Sequence, residues 1–164
     1  CATAADGEVV EAVNFNAPGQ VVIAGQASAV ERAVAACKEA GAKRAMPLPV
    51  SVPSHCALMK PAAERLAEHL ENTNFHPAEL PVINNVDVAR ETDPARIRDA
   101  LVRQLYCPVR WVETVQALAA EGVTTLYECG PGKVLSGLAK RIDRGLAARP
   151  LETGDAFDKA LSGE

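Results

Sequence analysis

His55 is the residue on which chemistry can be built in this chain. It lies between Ser54 and Cys56, after the segment Met46-Pro47-Leu48-Pro49-Val50-Ser51-Val52-Pro53. Leu48, Val50 and Val52 alternate with Pro49 and Ser51, the period of a strand. The prolines lack backbone donors and restrict that strand to an edge or an exit loop. Ser54 is placed to cap a helix beginning in Cys56-Ala57-Leu58-Met59-Lys60, which puts His55 in the first helical turn at the rim of a sheet. A neutral imidazole there can take up a proton and return it; the bland alternative is a capping or packing histidine. Asn14 and Asn16, two apart in a strand, point to one face and either hold a turn or hydrogen-bond a ligand. The cysteines at 1, 37, 56, 107 and 129 form no C-x-x-C pair and no Cys/His zinc spacing. Five is an odd number and fits free thiols in a reducing, cytoplasmic compartment. No metal or cofactor is expected.

The elements that must carry these residues follow from periodicity. Val9, Val10, Val13 and Phe15 lead to the turn Asn16-Ala17-Pro18-Gly19, and Gln20–Gly25 returns as an apolar strand. Ser28 and Glu31 have capping-box spacing before a helix over Ala29–Ala40. Lys43–Leu48 reads as the next strand. Strand, strand, helix, strand is the last three-quarters of a ferredoxin-like unit, so residues 1–49 are expected to form a partial ferredoxin-like subdomain. Residues 50–164 then alternate helix and strand, the pattern of an α/β domain with a mainly parallel sheet. Helices are expected over Cys56–Glu71, from Asp93-Pro94 to Pro108, over Val109–Ala120 and over Lys133–Gly145. The second of these has Ile97, Leu101, Val102 and Leu105 as its inner stripe. Short strands are expected at Leu80–Ile83 and Val123–Glu128. The Ala-rich stretch from Leu146 is weakly patterned. Three loops fall at strand ends, where such sheets gather functional groups: Ser54-His55, Asn84-Asn85 and Gly130-Pro131-Gly132.

The 164 residues suit one domain or a domain with a small appendage. With 48% hydrophobic and 23% charged residues the balance is that of an ordinary globular protein, and at 4% aromatic the core must be built from Ala, Val and Leu. A net charge of −4 speaks against nucleic acid as a partner. No apolar run is long enough to span a bilayer. The first residue is Cys1 where an initiator methionine is expected, and the ferredoxin-like unit lacks its opening strand and helix. Both point to the inside of a longer protein, whose remainder is expected to cover part of the sheet.

Val13-Asn14-Phe15-Asn16-Ala17-Pro18-Gly19-Gln20-Val21-Val22-Ile23-Ala24-Gly25 resembles a hairpin of the bacterial malonyl-CoA:acyl-carrier-protein transacylases. Pro49–Met59, with His55, resembles their catalytic histidine segment. Ile83-Asn84-Asn85-Val86-Asp87 and Glu128-Cys129-Gly130-Pro131-Gly132-Lys133-Val134-Leu135 follow in the family's order. The resemblance runs from about Val9 to Arg144 and implies the C-terminal portion of such an enzyme, with residues 50–164 forming part of an α/β-hydrolase-like domain. It implies ping-pong transfer of malonyl from malonyl-CoA, through a serine ester, to the phosphopantetheine thiol of acyl carrier protein in fatty acid biosynthesis. His55 matches the base, and Gln104 matches the residue whose backbone carbonyl orients it. Asn14, Asn16 and Gln20 match positions lining the acyl and pantetheine channel. Arg44 matches a basic residue near the coenzyme A phosphates, its alternative being a solvated charge. Lys133, Lys140 and Arg141 lie near the rim where the carrier protein docks, or are ordinary surface cations.

The family's nucleophile lies in a G-x-S-x-G elbow. Here the serines at 28, 51, 54, 136 and 162 stand in no such motif. The arginine that pairs the malonyl carboxylate and the glutamine of the oxyanion hole also belong to the half not represented. The chain alone is therefore expected to be inactive, its partners being malonyl-CoA, acyl carrier protein and the N-terminal half of the same enzyme. Two other readings are a non-catalytic carrier-protein-binding or assembly module, and a hydrolase using Ser54-His55. The last ranks lowest, because adjacent side chains rarely reach Oγ-to-imidazole geometry.

Overall fold

The computed structural model describes residues 1–163. The chain is mixed α/β and divides into two compact units, residues 1–15 with 21–110, and residues 16–20 with 111–164.

The first unit opens with a short helix α1 (Ala2–Ala5), followed by the strands β1 (Val10–Ala17) and β2 (Gln20–Gly25), whose hairpin tip counts with the second unit. The turn expected over Asn16-Ala17-Pro18-Gly19 is confined to Pro18-Gly19, with Asn16 and Ala17 still in β1. At the end of β2 the backbone passes so close to Val9 that a Cβ on Gly25 would lie 2.0 Å from the Val9 carbonyl oxygen; only glycine fits. Helix α2 (Ala27–Glu39) buries Ala29 and Ala33 against Ala4 and Val10. These small side chains let α1 and α2 approach closely. Ser28 does not cap α2. The N-cap is Gln26, and the Ser28 hydroxyl instead donates to the Glu8 carboxylate at 2.7 Å. A 3₁₀ turn (Ala57–Met59) leads into α3 (Lys60–Glu71), and α4 spans Pro94–Arg103. Pro61 stands in the first turn of α3, where its missing N–H is harmless. Asp93 caps α4 as expected, accepting from the Ala95 N–H at 3.0 Å. On α4 the buried position is Ala100, while Leu101 is 44% exposed.

Two expected strands are absent as strands. Lys43–Leu48 runs as irregular chain, and Leu80–Ile83 contributes a single bridge, Ile83 to Arg90. A strand exists only by pairing, and among the described residues neither segment has a neighbouring strand to pair with. Their apolar side chains therefore face outward: Leu48 is 52%, Leu80 77% and Val82 64% exposed, and Val50, just beyond the first segment, is 68% exposed.

The second unit holds α5 (Trp111–Ala120), β3 (Thr125–Cys129), α6 (Val134–Ile142), β4 (Ala147–Leu151) and α7 (Gly154–Ser162). Strands β3 and β4 are parallel, Thr125 opposite Ala147 through Cys129 opposite Leu151, with α6 as the crossover. Val115, Ala139, Leu146 and Ala148 form its core, with Trp111, Leu126 and Ile142 packed around them. The Ala-rich end is thus a strand and a helix. Thr153 caps that helix by accepting from the Ala156 N–H at 3.2 Å. No helix among the described residues is long and apolar enough to cross a membrane.

Exposed apolar side chains of this kind drive association. The isolated chain is expected to self-associate at micromolar concentration in sedimentation velocity. Val50→Lys with Leu80→Lys should shift it towards monomer; a chain that is monomeric without these changes contradicts the expectation.

Candidate active site

His55 is not in a helical turn. It occupies the left-handed region at φ 66°, two residues ahead of the 3₁₀ turn, and Ser54 caps nothing. A non-glycine residue there costs about 1–2 kcal/mol, which hydrogen bonds on both sides of the residue offset. The backbone N–H of His55 donates to the Leu105 carbonyl at 2.9 Å. Its ring Nδ1 lies 2.7 Å from the Gln104 carbonyl oxygen. A carbonyl can only accept, so Nδ1 carries the proton and the neutral ring keeps its lone pair on Nε2. The Gln104 side-chain amide nitrogen is farther from Nδ1, at 3.4 Å.

The geometry follows from how α4 ends. The last carbonyls of a helix have no partner within it. Gln104 is the C-cap of α4, and Leu105 follows in the closing turn. His55 takes up one carbonyl with its ring and the next with its backbone. The following residues fasten the same turn. Cys56 is fully buried, its thiol donating to the Pro53 carbonyl at 3.2 Å, and burial pushes that thiol's pKa up. Ala57 donates its N–H to the Glu11 carboxylate of β1 at 3.0 Å.

Glu11 was not singled out by sequence, and Leu105 only as an apolar position of a helix stripe. A lone acidic residue in an apolar strand, as in Val10-Glu11-Ala12-Val13, was the available signal for Glu11; for Leu105 there was none, because its backbone acts. Asn14 is half-buried on β1, beside a parallel bridge to Val109. Val109 donates to the Val13 carbonyl at 2.8 Å, and its own carbonyl accepts from Phe15 at 3.0 Å. Arg44 is exposed in irregular chain, with its Nε against the Met46 sulfur at 2.9 Å. Asn16 and Gln20 belong to the second unit, where the Gln20 amide oxygen accepts from Arg141. The structure thus joins His55 to Gln104, and leaves Arg44 apart from that pair. No cluster of metal-ligating side chains occurs among the described residues.

No family model matches the chain. Individual relatives do. A malonyl CoA-acyl carrier protein transacylase of Salmonella typhimurium is 63% identical over 162 residues, which is 99% of this chain and 52% of that protein. One from Haemophilus influenzae is 68% identical over 142 residues, 87% of this chain and 46% of that protein. Among solved structures, an acyl carrier protein S-malonyltransferase from Vibrio cholerae matches at 62% identity with a TM-score of 0.96, over 98% of this chain and 52% of that one. The chain belongs to the malonyl CoA-acyl carrier protein transacylase family. It spans about half the length of the curated relatives it matches. A malonyl-transacylase solved in complex with a type II PKS acyl-carrier protein matches at 57% identity and a TM-score of 0.98, over all of this chain and 53% of that one.

The Gly-Pro-Gly loop of this chain is built in the second unit, at the carboxyl end of β3. Gly130 and Gly132 sit at φ 131° and 98°, which side-chain-bearing residues avoid. They turn the chain so that Glu128 meets the start of α6. Its carboxylate accepts from the N–H groups of Leu135 at 3.0 Å and Ser136 at 2.7 Å. Desolvation pushes the Glu128 pKa up, but these hydrogen bonds outweigh it and hold the carboxyl below its ordinary value. A lowered folded-state pKa adds stability above the unfolded value, lost as pH falls through the folded one. Glu128→Gln is accordingly expected to lower the denaturation midpoint at neutral pH. The difference from the parent should vanish in acid, below the lowered carboxyl pKa. An offset that persists in acid contradicts the role.

Proposed function

We propose that this chain supplies the general base of malonyl transfer from malonyl-CoA to acyl carrier protein, and that the serine nucleophile comes from the part of the enzyme outside it. One observation carries the reading: the His55 Nδ1–H donates to the Gln104 carbonyl at 2.7 Å, leaving Nε2 as a proton acceptor.

A serine hydroxyl is a weak nucleophile at neutral pH and needs a base within hydrogen-bond reach. Nε2 takes the serine proton as Oγ attacks the thioester carbonyl, then gives it to the departing coenzyme A thiolate. In the second half it takes the proton of the phosphopantetheine thiol as that sulfur attacks the ester, and returns it to the serine oxygen. The Gln104 carbonyl orients the ring throughout. It lies at the negative end of α4, which favours the positive charge the ring carries between steps. Unlike a carboxylate it brings no net charge near the malonyl anion.

Asn14, Asn16 and Gln20 line the acyl and pantetheine channel in this reading, and Arg44 meets the coenzyme A phosphates. Carrier protein as the partner is supported by the relative solved with one. The exposed Lys133 and Lys140 on the second unit offer cations to such a partner. Because no serine of this chain stands in a G-x-S-x-G elbow, the chain by itself forms no acyl-enzyme.

In the full-length enzyme, His55→Ala is expected to reduce kcat/KM by roughly 10²–10⁴-fold, the usual worth of a positioned acid–base group; turnover near that of the parent would falsify the assignment. The isolated chain, exposed to malonyl-CoA and weighed by mass spectrometry, is expected to gain no malonyl group. A malonyl ester on Ser54 would revive the Ser54-His55 hydrolase reading.

A further inference from the structure

The segment Ile83-Asn84-Asn85-Val86-Asp87 has no part in the mechanism above, yet the first unit ties it closely to the residue beside Gln104. Arg103, the last residue of α4, directs its guanidinium fork at one carboxylate: Nη1 to Asp87 Oδ1 at 2.9 Å and Nη2 to Asp87 Oδ2 at 2.7 Å. Its Nε donates to Asp99, one turn back on α4, at 2.7 Å. Every orientation of the guanidinium plane is thereby fixed.

Asp87 is held in its turn. Its N–H donates to the Asn84 side-chain oxygen at 2.8 Å, and the Asn84 amide donates to the Ala89 carbonyl at 3.1 Å. Arg110 donates its backbone N–H to the Asn85 carbonyl at 3.3 Å and its Nη1 to the Val86 carbonyl at 3.2 Å. The carboxylate is therefore anchored, and the helix end is fastened to it.

We propose that Asp87 and Arg103 are positioning residues for His55: by locking the end of α4 to the 84–89 loop, their ion pair holds the Gln104 carbonyl where the His55 ring must donate its Nδ1 proton. The guanidinium holds the Asp87 carboxyl below the ordinary carboxylate range, so the pair stays charged at neutral pH. The catalytic consequence rests on His55 acting as the base; the effect on the ring's tautomer does not.

The test is ¹⁵N spectroscopy of the ring in the full 164-residue chain, with the His55 signals assigned by their loss in His55→Gln and read where the ring is neutral. The parent is expected to hold the Nδ1–H tautomer. Asp87→Asn and Arg103→Lys are each expected to lose it in favour of Nε2–H, the form a free imidazole prefers. Lysine keeps the charge but not the fork and should not rescue. Arg96→Gln breaks the pair between this α4 residue and Glu91, which precedes the helix, and should leave the tautomer unchanged, separating clamping from general loosening. If Asp87→Asn fails to fold, Arg103→Lys decides. In the full-length enzyme the same variants should lower kcat on the order of 10- to 100-fold, the scale of an ångström-sized misplacement, with KM for malonyl-CoA unchanged. A ring that stays Nδ1–H in both variants overturns the proposal, whatever happens to kcat. A shifted tautomer with kcat intact upholds the clamp and overturns the base assignment instead.

Discussion

Everything near His55 depends on the unpaired carbonyls just past the end of α4. A helix must leave its final carbonyl groups without internal partners, and His55 donates to two carbonyls of the closing turn. Gln104 fixes the ring through Nδ1 and Leu105 fixes the backbone through its N–H. Two anchor points on consecutive residues define both where the imidazole sits and which way it faces. They also account for a histidine held at a positive φ. The hydrogen bonds of the ring and the backbone hold that strained conformation in place.

The frame is closed on itself within the first unit. From β1, Glu11 holds the Ala57 N–H, and His55 holds the end of α4. Arg103 joins α4 to Asp87, and the Asn84–Asp87 loop accepts from Arg110. Val109, the residue before it, returns to β1 at Val13 and Phe15. The circuit joins backbone groups through the side chains of Glu11, His55, Asp87, Arg103 and Arg110, and the long glutamate and arginine side chains give up rotamer freedom to be fixed there. Its apolar complement is made of small side chains: Cys56 at the histidine turn, Val13 on β1, Val86 in the 84–89 loop and Ala100 on α4 are all buried. Directional bonds rather than bulk packing therefore set the ring's position.

Sequence pattern reached some of this and not the rest, for definite reasons. The hairpin and the Asp93-Pro94 helix start were legible because the signals are local: Pro18-Gly19 in a two-residue turn, and a carboxylate at an N-cap before proline. His55 stood out in the sequence as a candidate proton carrier, and Gln104, whose carbonyl its ring meets, only through family resemblance, because a backbone carbonyl leaves no mark on residue type. The Ser28-Glu31 spacing misled, since Ser28 found a stronger acceptor in Glu8, itself paired with Arg32 at 2.9 Å. Leu146 onward looked shapeless because β4 contains Pro150 and alanines. Its strand character comes from pairing with β3, not from its own composition. The Lys43–Leu48 strand failed for the opposite reason, having the pattern and lacking the neighbour.

That last contrast separates what the chain determines from what it leaves to others. The second unit has a parallel strand pair, a crossover helix and an apolar cluster of its own, so its order rests on contacts it contains. In the first unit the residues before the histidine alternate correctly for a sheet yet remain unpaired, with Met46, Leu48, Val50 and Val52 all more than half exposed. The ring, by contrast, is already aimed, because its frame consists of α4, β1 and the 84–89 loop and uses none of those unpaired residues. Orientation of the ring is therefore independent of that unpaired segment, being achieved by hydrogen bonds within the first unit. A ring held through both its Nδ1 and its backbone before any partner reaches Nε2 has little freedom left to lose when one does.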